Sequence, residues 1–247
     1  LILLSPPLGA FKNPKAGFGA LRNLERHGVI LGGVSGGVFP LVRAGLMSGY
    51  KVSVHWCYEA AFRSEFPNIQ ASDQVIEFSE RRYTASGAAA AFDLCLRLIE
   101  TSLGAEVATE VACWFQHPLM RGDGVRQSIP TYNQTTTDAT LTPVVAKAIA
   151  IFAANLTEPI SVARVAVEVG VSSRQIERSF KKATDKSPSH YYRAMRMKAA
   201  QQLVMYSKET MAQIALQVGY GSTTPMVQHY KEAVSYTHLT LPTIYSV

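Results

Sequence analysis

The feature that most restricts what this chain can fold into is a repeat. Val162 to Lys182 reads VARVAVEVGVSSRQIERSFKK, and Gln213 to Lys231 reads QIALQVGYGSTTPMVQHYK. Each copy is an apolar helix, a turn carrying Gly, and a second helix opened by Ser. Gly170 and Gly219 stand 49 positions apart, whereas Phe180 and Tyr230 stand 50 apart. Gly221, in the second turn, accounts for the extra residue. A repeat of this length built on paired helices and a tight turn points to two DNA-reading modules in tandem.

The first copy has the layout of a docked reading helix. Val162, Val165, Ala166 and Val169 recur at i, i+3, i+4 and i+7, which gives the leading helix one apolar face. Gly170 suits the left-handed backbone that ends a helix and turns the chain. Ser172 is placed to cap the next helix, and Gln175 three residues on completes a capping-box pattern. Along that helix Ile176, Phe180 and Ala183 share one side, while Arg174, Glu177, Arg178 and Lys181 share the other. The apolar side locks the helix to its partner. A basic, hydrogen-bonding side is left outward, as a helix lying in a major groove requires.

Charge is distributed to match. The chain carries a net +6 over 247 residues. Thr157 to Ala233 holds eleven Lys/Arg and six Asp/Glu, a net of +5, while residues 1 to 156 hold thirteen and twelve, a net of +1. The excess therefore sits in the half that bears the repeat, where counterion release favours a polyanion. No run approaches the ~18–20 apolar residues of a membrane span, and the opening LILLSPPLGAF lacks the basic flank of a signal peptide. Cys57, Cys95 and Cys113 are widely spaced and odd in number, so they make neither a disulfide framework nor a zinc site. They read as buried small hydrophobes in a reducing cytoplasm. Neither a metal nor a cofactor is expected.

Residues 1 to 120 alternate between strand and helix patterns. LILLS and Val29 to Val34 read as buried strands with a helix, Ala20 to His27, between them. Phe39 to Ala44 is a helix after Gly36-Gly37, Lys51 to Trp56 a strand, and Glu59 to Phe66 a short helix. Val75 to Phe78 and Arg82 to Ala85 form a hairpin. Gly87 opens a helix to Ser102 with Phe92, Cys95, Leu96 and Ile99 on its apolar face, and Glu106 to Phe115 is helical again. This alternation predicts a three-layer α/β domain, mostly parallel in its sheet. Residues 121 to 140 are polar, aperiodic and rich in Thr and Gly, and read as a linker. Thr142-Pro143 starts a helix, and Ser187-Pro188 starts another of about nineteen residues through Tyr206. At ~1.5 Å per residue that rod spans ~28 Å, close to the ~34 Å between successive major-groove faces. The last fourteen residues, 234 to 247, break the helical pattern, carry no charge, and read as a non-native tail outside the fold.

VAVEVGVSSRQIERSFKKATDKSPSHYYRAMRMKAAQQLV and IALQVGYGS resemble the DNA-binding domain of AraC-type transcription regulators. The likeness covers residues 141 to 233 and includes the Ser-Pro opening of the linking helix and the run Arg196, Ala200, Leu203. LGGVSGGVFPLVRAGLMSGYKVSVHW, Phe66-Pro67 and ASGAAAAFDLCLRLIE resemble the PfpI-like, glutamine-amidotransferase-like domain of GlxA-type regulators. The resemblance implies a flavodoxin-like effector and dimerisation domain over residues 1 to 120, incomplete at its start, followed by an all-α tandem helix-turn-helix domain. It implies a cytoplasmic homodimer that senses a small molecule, such as a quaternary amine or an amino acid, and acts with promoter DNA and RNA polymerase. The sequence departs from the pattern at Pro225, near the start of the second reading helix, and at Gln228, where Arg is usual.

Carried onto this sequence, the resemblance assigns Arg174, Gln175, Glu177 and Arg178 to the DNA face of the first reading helix. Arg pairs bidentately with guanine and Glu accepts from cytosine, whereas Lys181 and Lys182 suit phosphates. In the second helix the DNA face is Thr223, Thr224, Val227, Gln228 and Lys231; Val227 suits a thymine methyl and Gln228 an adenine. In the first domain, Ser35 in GVSGG occupies the sharp strand-to-helix turn where PfpI-like enzymes place a nucleophile. His55 lies where relatives bring an imidazole toward it. Ser35, His55 and Trp56 are accordingly expected to line an effector pocket without catalysis, Trp56 facing a cation with its ring. The competing reading is a PfpI-like hydrolase or deglycase that uses Ser35 and His55 and carries a DNA-binding appendage.

Overall fold

The computed structural model describes residues 1–79, 81–117, 121, 124–127 and 141–234, in two compact units, Leu1–Ile129 and Pro130–Val247. In the first, the order is β1 Ile2–Leu4, α1 Pro14–Arg26, β2 Leu31–Val34, α2 Val38–Arg43, β3 Val52–Ser53, α3 Glu59–Glu65, β4 Ala71–Ser72, β5 Ile76–Phe78, β6 Arg82–Ala85, α4 Ala88–Leu103 and α5 Ala105–Trp114. One sheet runs β1-β2-β6-β5, with β1-β2 and β2-β6 parallel and β5-β6 antiparallel; β3 and β4 form a separate parallel pair. The unit is α/β with a mixed sheet.

The core forms where apolar side chains from strand and helix converge. Leu31, Phe39, Leu41, Met47, Val52 and Phe62 are buried together, with Phe62 and Phe66 edge-on or tilted against Phe39 or each other. Close packing at the β2–α2 junction demands glycine. A Cβ on Gly33 would meet the Val38 nitrogen at 2.8 Å, and one on Gly36 would meet the Pro7 nitrogen at 2.6 Å.

Several local expectations are corrected. β1 is an exposed edge, not a buried strand, with Leu4 77% accessible. The strand expected over residues 51 to 56 shrinks to Val52–Ser53, because side chains occupy its neighbouring backbone groups. Thr84 Oγ1 accepts from Ser53 N at 2.8 Å, and Gln127 Nε2 donates to Val54 O at 2.8 Å. α1 begins earlier than expected, since Asn13 accepts from Ala16 N and Pro14 occupies the first turn. α4 buries Ala90, Asp93, Leu94 and Leu96, leaving Cys95 exposed. Asp93 turns the helix: its Oδ1 lies 2.8 Å from His117 Nε2, and its Oδ2 accepts from Arg121 Nε at 2.6 Å. Cys113 is exposed as well and Cys57 half-buried, so burial does not explain the cysteines.

In the second unit, α6 Pro143–Ala154, α7 Val162–Glu168, α8 Ser173–Thr184, α9 Pro188–Tyr206, α10 Met211–Gln217 and α11 Thr223–Val234 are all helical. Phe152, Val165, Ala166, Ile176, Phe180, Tyr191 and Tyr192 close one core, with Phe152 stacked on Tyr192 at 4.2 Å and Phe180 edge-on to Tyr191 at 5.6 Å. The expected tail falls on residues outside those described, apart from the end of α11. Part of the segment read as linker is held by the first unit: Val75 N donates to Val125 O and Gln127 N to Asp73 O, both at 2.8 Å. The rest of it, residues 122–123 and 128–140, lies outside the described residues.

Candidate nucleic-acid interface

The repeat seen in the sequence is a repeat of backbone geometry. Gly170 and Gly219 have φ of +77° and +75°. Gly170 N donates to Val167 O and Val171 N to Ala166 O; one repeat later Gly219 N donates to Leu216 O and Tyr220 N to Ala215 O, all between 2.8 and 3.0 Å. α7 and α10 start 49 residues apart, α8 and α11 start 50 apart, so the additional residue falls in the second turn. Ile176 and Phe180 are fully buried on α8, and Met226 and Tyr230 occupy the matching buried places on α11.

Ser172 caps α8 by accepting from Gln175 N at 3.2 Å. The reciprocal half of the box expected at Gln175 is absent among the described hydrogen bonds; the complete box forms instead at Thr210 and Gln213, at the start of α10. Burying Ile176 and Phe180 leaves Arg174, Gln175, Glu177, Arg178, Lys181 and Lys182 all exposed. Glu177, Arg178, Lys181, Lys182 and Ser187 line an open hollow of about 490 Å³ where α8 gives way to α9. Lys181 is engaged: its ammonium lies 2.8 Å from Asp185 Oδ1 and donates to Asp185 O at 2.9 Å, and this contact holds the Asp185 carboxyl below its ordinary pKa. The pair is solvent-exposed, so a phosphate can take the ammonium over at little cost.

On α11, Thr224, Gln228 and Lys231 are exposed, while Thr223 and Val227 are half-buried. Gln228 Nε2 sits 3.5 Å from Glu232 Oε1. Pro225 stands in the first turn, where a missing backbone N–H breaks no helical hydrogen bond. Lys182 has Glu232 as its counterpart fifty residues on, so the two faces share shape and differ in charge.

The first unit brings Ser35, His55 and Trp56 into one neighbourhood but does not pair Ser35 with His55. Ser35 has φ of +56°, a strained turn for a residue with a side chain, and its hydroxyl lies near the Tyr58 phenol, whose pKa is raised by burial. His55 Nδ1 accepts from Cys57 N at 3.2 Å and lies 2.9 Å from Cys57 Sγ; burial lowers its pKa. Its ring lies 5.3 Å from Trp56 and 5.8 Å from Tyr58. Among the described hydrogen bonds none joins Ser35 to His55, whose Nδ1 is engaged by Cys57. Sequence reasoning missed Cys57 and Gln127 here. Gln127 Oε1 accepts from Trp56 N at 3.0 Å, across 71 positions.

Helix-turn-helix geometry twice over, with one strongly basic outer face, defines a protein of the DNA-binding regulator class. A helix-turn-helix domain family matches residues 165–238. The chain is 34% identical over 222 residues to the HTH-type transcriptional regulator ArgR of Pseudomonas aeruginosa, covering 90% of this chain and 66% of that protein. It is 25% identical over 217 residues to the HTH-type transcriptional regulator GlxA of Rhizobium meliloti, covering 88% and 66%. A solved transcriptional regulator with an AraC-type DNA-binding domain, from Chromobacterium violaceum, is 34% identical over 38% of this chain and 83% of its own, with a TM-score of 0.37. The chain spans just under two thirds of the length of both curated regulators. It belongs to the AraC family of HTH-type transcriptional regulators, with GlxA among its relatives.

Proposed function

We propose that this chain is a sequence-specific regulator that binds double-stranded promoter DNA through α8 and α11, working in the cytoplasm as a homodimer with RNA polymerase. The observation that carries this reading is the outer face of α8. Six polar side chains, four of them cationic, are exposed on a helix whose other side is locked by Ile176 and Phe180. A helix with its side chains is ~10–12 Å across and fits the ~12 Å major groove. Arg174, Gln175, Glu177 and Arg178 face base edges, while Lys181 and Lys182 face phosphates. Thr223, Thr224, Val227, Gln228 and Lys231 form the second, less basic reading surface.

The first unit senses a small metabolite at Ser35, His55 and Trp56. Half-buried aromatic rings of His55, Trp56 and Tyr58 gathered beside a strained turn favour a quaternary amine or an amino acid over a polyanion. The hydrolase reading is the weaker one, because no described hydrogen bond joins Ser35 to His55, whose Nδ1 accepts from Cys57 N. The experiment is selection of duplexes from a random library by the full chain, with affinity then followed against salt. We expect one enriched bipartite sequence and a steep linear fall of log affinity with log salt. Enrichment of no sequence at any salt would rule the reading out.

A further inference from the structure

The two reading heads are not held alike. α7 turns into α8 around a Gly170 with open space about it: a Cβ built there meets nothing within 4 Å. The matching glycine of the second head is enclosed. A Cβ on Gly219 would collide with the Pro159 ring and stand 2.8 Å from Leu156 O. Both neighbours belong to the loop between α6 and α7, which is part of the first head.

The carbonyls around that glycine are also taken. A helix ends with carbonyls that have no partner inside it. At the end of α10, Thr157 Oγ1 donates to Gln217 O at 2.9 Å, Arg196 Nε donates to Val218 O at 2.7 Å, and Arg196 Nη2 donates to Gly219 O at 2.7 Å. Three consecutive carbonyls are thus bound by side chains from outside the second head. Thr157 belongs to the first head and Arg196 lies within α9. The Arg196 guanidinium also lies 4.2 Å from the centre of the Tyr220 ring, and the Tyr220 hydroxyl is 2.8 Å from Nδ1 of His229, which is on α11. Tyr220 is buried, and burial together with the positive charge of Arg193 lowers the His229 pKa, favouring the neutral ring that can accept from the phenol.

We infer that the lock formed by Thr157, Arg196, Tyr220 and His229 sets the position of α11 relative to α8. A helix of 19 residues fixes a length, but it does not by itself fix how α10 and α11 are rotated beyond the Ser207–Thr210 turn. The lock supplies that rotation. It joins the α6–α7 loop, the middle of α9, the end of α10 and the inner side of α11 into one body. Arg196 is a positioning residue, since its guanidinium is spent on two carbonyls and a ring. The inference deepens the DNA-binding reading and rests on it for its consequence: the protein tolerates only one spacing between its two half-sites.

Arg196→Lys tests this, because an ammonium cannot donate to both carbonyls in the fixed fork of a guanidinium or cover the ring in the same way. The full chain and the variant are compared on the selected bipartite duplex, on duplexes with one base pair added or removed between the half-sites, and on a duplex with the second half scrambled. Amide exchange is followed in parallel at both turns. For wild type, an altered spacing should weaken binding to the level of the scrambled duplex. For Arg196→Lys, affinity for the original duplex should fall about tenfold, the spacing preference should vanish, and the scrambled duplex should bind as before. Exchange should quicken at residues 218–221 and stay unchanged at 169–172. Tyr220→Phe, which keeps the ring and removes only the hydroxyl, should give a weaker form of the same pattern.

Retained spacing preference together with unchanged exchange at 218–221 in both variants overturns the lock. If wild type selects no duplex, the DNA reading fails, and the exchange measurement still decides the lock. If Arg196→Lys unfolds the unit, Tyr220→Phe and Thr157→Val carry the same exchange comparison, and the absence of any local quickening in them overturns the proposal.

Discussion

The first and second helix-turn-helix heads share a backbone but gain their order from different sources. The first sits against its own core: Phe180 and Ile176 are buried beside Phe152 and Tyr191, and the exposed side of α8 is free to be basic. The second has Tyr230 and Met226 in those places, a complete capping box at Thr210 and Gln213, and contacts from outside that hold its turn. Its outer face carries Thr224, Gln228 and Lys231, with Glu232 where the first head has Lys182. The two heads thus differ in what surrounds a shared backbone: the first has the more basic outer face, and the second has a turn held by side chains from outside it.

The strongest way to break this comparison is to remove the anchor of the first head. Phe180→Ala takes a fully buried ring from the core and should cost ~3–5 kcal/mol. Melting temperature and helical circular dichroism should fall together, and DNA binding with them. A variant that melts like wild type would show that α8 is not packed through this face.

A smaller effect sharpens the contrast between the two reading faces. Arg178→Ala should cost ~1–3 kcal/mol on the selected duplex and flatten the preference at one base pair. Gln228→Ala, at the matching place on α11, should cost less, since it replaces no cation. Competition titrations against single-base variants of the duplex measure both. Equal losses on specific and scrambled duplexes for Arg178→Ala would make it a phosphate contact.

The smallest effect lies in the salt dependence. Lys182→Ala should weaken all sequences alike and reduce the salt slope by ~1, whereas Glu232→Lys should steepen it by ~1. If neither slope moves, the ends of α8 and α11 do not run beside phosphates.

The helical unit is legible in the sequence because its signals are local. Ser187-Pro188 and the residues up to Tyr206 predict a helix whose ends match α9, and glycines at 170 and 219 predict the two left-handed turns. Burial of Phe180 follows from the 3.6-residue period alone. The α/β unit is less legible because its details are decided by partners far away in sequence. β3 stops at Ser53 since Thr84 and Gln127 occupy neighbouring backbone groups, 31 and 73 positions on. The face α4 buries is set by Asp93, whose partners His117 and Arg121 lie 24 and 28 positions beyond it. At the candidate site, GVSGG is enough to place Ser35 on a sharp turn. The engagement of His55 Nδ1 by Cys57 is not legible, because no pattern in a sequence says which of two nearby groups a side chain will choose. The partners of Arg196 are hidden in the same way: the run Arg196, Ala200, Leu203 marks a family likeness, and does not say that its guanidinium reaches Val218 O and Gly219 O.

The rod between the heads has a bearing on how such a chain can change over time. Side chains on the outer surface of α9 can be exchanged one at a time at little cost. Its length cannot drift in that way. One residue inserted between Pro188 and Arg196 would turn everything beyond it by ~100° and carry it ~1.5 Å along the axis. Seven would restore the face and still displace it by ~10 Å, about three base-pair steps along a duplex. Point substitution is therefore the gradual path open to this helix, and insertions or deletions within it are all-or-nothing events.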